Sequence, residues 1–202
     1  MKHTIILSLV SILLVGTQCK PINTISRVSP DTSTELSGKW NDTDARMVSE
    51  EMITDALSTN WLSNHRESEA KPPVVIVGTL RNESMEHIDT NVITKEMERA
   101  FVNSGQVTLV ANASERIEIR DERIDQQSNA SLESMKAMAK ELGADYMLIG
   151  NISSIMDDAP DGRNTAIFYT VNLELIDIET NVKVWIGNKK IKKLIERRNY
   201  RG

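Results

Sequence analysis

The residue pattern predicts an α/β (α+β) fold: a mixed sheet of about five strands with helices packed on it, ending in a C-terminal antiparallel meander. Two features carry that expectation. Up to about residue 143, β-branched runs alternate with stretches of helical apolar spacing, the order that produces a right-handed parallel crossover. From residue 144 onward, three long apolar-rich runs are joined by short turns, which read as hairpins.

The elements follow in chain order. In KWNDTDARMVSEEMITDAL, Asn41, Asp42 and Thr43 are all good N-caps, and Asp44 suits the positive end of a helix dipole. Val48, Met52 and Ala56, with Ile53 and Leu57 beside them, form an apolar stripe at helical spacing. His65 and the run RESEAKPP are expected to form a loop, with Pro72-Pro73 stopping any helix. Val74 to Val77 is β-branched without alternation, as in a central strand buried on both faces, and Gly78 with TLRNES is read as its end. Asp89 caps a helix carrying Ile93, Met97, Ala100 and Phe101, closed by Gly105, and QVTLV supplies a second short strand. Helices are expected over about 113–127 and again from Ser131, where Leu132, Met135, Met138, Ala139 and Leu142 share one face. The meander is ADYMLIGNISSIMDD, AIFYTVNLELIDIE and VKVWIGNKKIKK. In the middle strand Ile167, Tyr169, Val171, Leu173 and Leu175 alternate with Thr170, Asn172 and Glu174.

The N-terminus has a different character. Met1-Lys2-His3 precedes an apolar run from Ile5 to Val15, shorter than the roughly 20 residues needed to cross a bilayer, so it reads as an export signal. The sole cysteine, Cys19, follows directly in VGTQC, where a lipoprotein signal places the residue that becomes the new, acylated N-terminus. Gln18 stands where a lipobox has a small residue. Two or three acyl chains, at roughly 0.8 kcal/mol per buried methylene, anchor stably where one does not. The expected organisation is therefore a signal peptide over 1–18, a flexible Ser/Thr/Pro-rich tether over 19–38, a globular domain over 39–196 and a basic tail over 197–202. A tether of this length spans roughly 25 Å on average.

Charge is unevenly spread. Five lysines, three arginines and one glutamate put +7 on residues 181–202, leaving −12 on the rest of a chain whose net charge is −5. A basic end on an acidic body suits an anionic partner surface or membrane headgroups; it also suits a sheet edge blunted by lysine.

Catalytic signatures are missing from the sequence. His3 lies in the signal, and His65 and His87 are read as solvated loop residues without metal-ligand spacing. There is no nucleophile elbow, phosphate-binding glycine loop, dinucleotide fingerprint or H-E-x-x-H. One cysteine excludes an internal disulfide and a thiolate-rich zinc site. Eight aromatic residues are too few for a base-stacking nucleic-acid platform. The expectation is a non-enzyme with no cofactor, no metal and no nucleic-acid partner, its only attached group a lipid on Cys19.

Two features point to partner contact. In SERIEIRDERID, Glu118 with Glu122, Asp121 with Asp125, Arg116 with Arg120 and Arg120 with Arg123 are like-charged pairs at helical spacing, each unfavourable by a few tenths of a kcal/mol. The resulting acidic and basic stripes call for opposite charge, either inside the fold or on a partner, which makes Arg120 and Arg123 candidates. Trp40 precedes a helix N-cap, where an apolar side chain staples the first turn; tryptophan is also enriched among interface anchors.

The segments SGKWNDTDARMVSEEM, PVVIVGTLRNES, ERIEIRDERIDQQSNAS, KELGADYMLIGNISSI and VNLELIDIETNVKVWIGNKKIKK together resemble the LpoB family of penicillin-binding protein activators, in order over nearly all of 37–193. The resemblance implies an outer-membrane lipoprotein facing the periplasm, with a domain like the N-terminal domain of TolB. It further implies no catalytic activity and a role in binding a bifunctional (class A) penicillin-binding protein, stimulating glycan polymerisation and crosslinking. A monomer is expected. The tether is short for a reach from the outer membrane to an inner-membrane enzyme, which keeps inner-membrane anchoring open. Two other readings stand beside it: a structural or secretion-associated outer-membrane lipoprotein of the curli-export type, and a generic periplasmic binding module.

Overall fold

The computed structural model describes residues 26–29, 32, 35–127, 143–160 and 162–196. Cys19, the segment expected to be an export signal, the helix expected from Ser131 and the expected basic tail over 197–202 lie outside them. The chain divides into two compact units, Met1–Ser33 and Thr34–Gly202. In the first, the Thr32 backbone N–H donates to the Ser29 carbonyl.

The second unit has the mixed α+β architecture that the pattern predicts. Its elements are α1 (Asp42–Leu57), α2 (Asn60–Glu69), β1 (Val74–Glu83), α3 (Thr90–Ser104), β2 (Thr108–Leu109), α4 (Ala113–Gln127), β3 (Tyr146–Asp158), β4 (Asn164–Asp177) and β5 (Lys183–Glu196). The strands form one sheet in the order β2-β1-β3-β4-β5. β1 pairs in parallel with β2 and β3, whereas β3, β4 and β5 form the antiparallel meander.

Side-chain alternation explains the sheet's two unlike faces. Ile167, Tyr169, Val171, Leu173 and Leu175 of β4 are all buried. Leu148 and Ile152 of β3 sit opposite Leu175 and Val171, and Trp185 of β5 sits opposite Leu175, so these residues share one face. Val48, Met52 and Ile53 of α1 and Ile93, Met97 and Phe101 of α3 complete that core. The Trp185 Nε1–H donates to an Asp55 carboxylate oxygen at 2.9 Å, tying α1 to β5. On this face Gly150 permits close strand approach: a Cβ there would collide with the Asn172 carbonyl oxygen.

Two local expectations are corrected. Gly78 does not end β1; the strand continues to Glu83 with a register shift between Val77 and Leu80. Gly78 instead lets the irregular strand pass close to β3, where a Cβ would meet Ile149 Cγ2 at 3.0 Å and the Leu148 carbonyl at 3.2 Å. The segment read as a loop around His65 is helix α2. Trp61, Leu62 and His65 are its buried residues, at helical spacing, and Ala70 closes it in the left-handed conformation before Pro72-Pro73. Here tertiary packing supplies what the polar sequence does not: Trp61 donates to the Ala56 carbonyl at 2.7 Å and packs edge-on to Tyr146.

Candidate interaction surface

The chain enters the body as a strap across β5. Gly38, at φ +69°, lies so close to Ile195 that a Cβ would collide with it. Lys193, on the core face of β5, reaches three groups. Its ammonium lies 2.5 Å from Asp44 Oδ2 and 3.0 Å from Glu35 Oε2, and it donates to the Lys39 carbonyl at 2.9 Å. Asp44 is buried and the Lys193 side chain nearly so, at 2% and 9% exposure. The Lys193 hydrogen bond, then that from Asn41, holds the Glu35 carboxyl below its ordinary value. Glu35 and Gly38, assigned to the tether by composition, thus rest on β5.

Trp40 sits at the end of this strap. It is half-buried, packs on the core and meets Tyr169 edge-on, with ring centroids 5.4 Å apart. Its backbone N–H donates to Tyr169 Oη at 3.1 Å and to Glu86 Oε2 at 3.3 Å, while the Tyr169 hydroxyl donates to Glu86 Oε1 at 2.6 Å. Burial, then the hydrogen bond to Glu86, pushes the Tyr169 phenol up, so it stays neutral and remains a donor. Trp40 therefore locks the strap to β4, leaving part of its indole accessible.

Helix α4 carries the other two candidates. Ile117 and Ile124 are exposed on it. Arg120 is exposed and Arg123 half-buried, and each interacts within the chain. Arg123 lines a shallow groove with Ala111, Glu115, Ile119 and Glu122. Near the start of the helix, the Lys95 hydrogen bond, followed by that from the Asn112 N–H, lowers the Glu115 carboxyl. The three candidate partner residues thus fall on two elements, Trp40 on the strap and the two arginines on α4.

A surface that the sequence reading missed lies on the other side of the meander. On the face opposite the core, the pairing aligns Ile155 of β3, Phe168 of β4 and Lys192 of β5 in one row. Lys192 stacks over the Phe168 ring at 4.8 Å. Ile155 is 69% exposed and Leu194, one row further, 60%. In the next row inward Lys190 faces Thr170, and beyond it a ladder of side-chain amides links Asn151, Asn172 and Asn188. The signal was present as the alternation Ile186, Asn188, Lys190, Lys192, Leu194. It was obscured because lysines at 189 and 193 occupy the core side of the same strand, paired with Glu51 and Asp44.

His65 is also relocated. Far from solvated, it is buried at 6% exposure, with Nδ1 3.1 Å from Tyr146 Oη and Nε2 3.7 Å from Asp145 Oδ2. Asp145 is held in turn by the Val74 N–H at 2.8 Å. Burial, then the charges of Asp177 and Asp145, raises the Tyr146 phenol. These groups open on a polar cleft with Glu69 and Lys71, but among the described residues no group of three histidine, cysteine or acidic side chains converges as metal ligands would. Nor is any helix of the described residues long and apolar enough to cross a membrane.

Against this geometry stand the comparisons with known proteins. The family model described as peptidoglycan-synthase activator LpoB matches residues 44–191. Among solved structures, the LpoB C-terminal domain from Escherichia coli is similar at 17% identity and a TM-score of 0.46, covering 73% of this chain and 98% of that one. The same domain from Salmonella enterica gives 17% identity and 0.44, with the same coverage of both chains. Lipoprotein GNA1162 from Neisseria meningitidis gives 14% and 0.38, over 64% of this chain and 88% of that one. No curated protein matches the sequence.

Proposed function

The chain belongs to the LpoB family of peptidoglycan-synthase activators, and from that premise we propose that it binds a bifunctional, class A penicillin-binding protein and raises its peptidoglycan synthesis. The observation that carries this reading is the family match over residues 44–191, which runs from the first turn of α1 well into β5. The physics asks little of such a protein chemically. An activator needs a rigid surface that binds the active state of its synthase more tightly than the inactive one, because only differential affinity shifts a conformational equilibrium. The braced sheet and helices supply rigidity. Trp40, Arg120 and Arg123 remain candidates for contact, the first on the strap and the others on α4.

The placement proposed is periplasmic, with lipid on Cys19 anchoring the chain to the outer membrane and the inner membrane as the alternative. Mass spectrometry of the mature N-terminus reads the acylation directly; an unmodified Cys19 would remove the anchor from this picture. The activity is tested by titrating the purified chain into the bifunctional synthases of its own organism while following lipid II polymerisation. Faster glycan synthesis with saturable binding is expected. Absence of binding to every such synthase overturns the proposal.

A further inference from the structure

The open face of β3–β5 has an unusual imbalance. Of the five lysines on β5, three have carboxylate partners within the fold: Lys183 with Glu174, Lys189 with Glu51, and Lys193 with Asp44 and Glu35. Lys190 and Lys192 have none among the described residues. Both lie on the open face, beside Ile155, Phe168 and Leu194. Clustered exposed apolar side chains rimmed by charged groups mark interaction surfaces.

We propose that this face, centred on Ile155, Phe168 and Leu194 and flanked by Lys190 and Lys192, docks a protein partner presenting an apolar centre with carboxylates set against the two lysines; on the reading above, that partner is the synthase. The lysine pair fixes the sign of the partner's charge, and two competing occupants fit less well. A second copy whose two-fold axis passes beside Lys192, at the centre of the face, would bring the lysine pairs of the two copies together, a like-charge contact. An anionic bilayer responds to net charge near its surface. Asp157 and Glu196 lie at the end of the same face, opposite Ala166 and Asn164, and offset Lys190 and Lys192 in the field of this face. A shaped protein surface can pair each charge separately, and its apolar centre then removes Ile155 and Leu194 from water. The residues most exposed on this face are those whose burial would contribute most to binding.

The experiment uses the full chain and the organism's bifunctional synthases. Three variants are compared with the parent for affinity and for melting temperature: Lys190→Glu combined with Lys192→Glu, Ile155→Ser, and Lys71→Glu as a control at the opposite end of the sheet. The charge reversal and Ile155→Ser are each expected to weaken binding tenfold or more with an unchanged melting temperature, and Lys71→Glu to leave it as it was. Ile155 is exposed enough that its replacement tests the contact without testing the core. If the parent binds a synthase and both face variants bind equally well, the face is wrong while the activator reading stands. If the parent binds none of them, both fail. Face variants that abolish only self-association in sedimentation, or only flotation with vesicles containing phosphatidylglycerol, would instead assign the surface to a second copy or to lipid and overturn the proposal.

Discussion

Lys193 shows how one side chain decides the placement of a whole segment. On the core face of a sheet, an ammonium is tolerable only with its charge met, and Asp44, Glu35 and the Lys39 carbonyl meet it. Lys193→Met leaves Asp44 buried without its cation, and breaking such a pair costs about 3 kcal/mol. A urea titration should show the midpoint falling accordingly. Glu35→Gln removes the exposed partner instead, and the loss should stay below about 1 kcal/mol because water already screens that contact. Neither role is readable in a string of lysines. The alternation of Trp185, Gly187, Lys189, Ile191 and Lys193 puts lysine where a core residue is expected, and only α1 and the strap explain it. His65 teaches the same lesson with the opposite sign: a histidine in a polar stretch is counted as solvated until Tyr146 and Asp145 are brought to it.

Among the described elements, those with strong local signals formed where the residues said they would. Asn41 accepts from the Asp44 N–H at 3.1 Å while Asp44 accepts from the Asn41 N–H at 2.9 Å, a reciprocal cap set by residues three apart. Asn41→Ala should cost about 1 kcal/mol, measurable as a lowered denaturation midpoint with an unchanged slope. Asp89 and Gly105 bound α3 for equally local reasons. Helix α2 is the counter-example, because its ten residues include only Trp61 and Leu62 as strong apolar anchors. Isolated helices of that length are unstable in water, so its formation depends on packing that no local window contains. β1 is similar: glycine reads as a strand end, but hydrogen bonding to β3 carries the strand through an irregularity to Glu83. On α4, the acidic and basic stripes were legible, whereas the interactions that engage Arg120 and Arg123 within the chain were not.

For the chain as a whole, acid should be the destabilising direction. Glu35, Glu115 and Asp177 all have carboxyls held below their ordinary values of 4.5, 4.5 and 3.8. The first cause is Lys193 for Glu35, Lys95 for Glu115 and the Thr180 N–H for Asp177. A carboxyl whose folded value is depressed contributes its stability above the unfolded value and loses it as pH falls through the folded one. Melting temperature should therefore hold near neutral pH and fall below about pH 4, with Lys95→Met reducing the part due to Glu115. Melting curves from pH 7 to pH 3 check this, and a flat profile would remove these pairs from the stability of the fold. The mixed sheet, the meander and the family resemblance were all present in the order of the residues, since alternation, caps and turns act over a few positions and survive without knowledge of neighbours. Which lysines are neutralised, whether His65 is wet, and which sheet face is left open depend on groups distant in sequence. Their electrostatics and burial came into existence only when the sheet, α1 and the strap closed on one another.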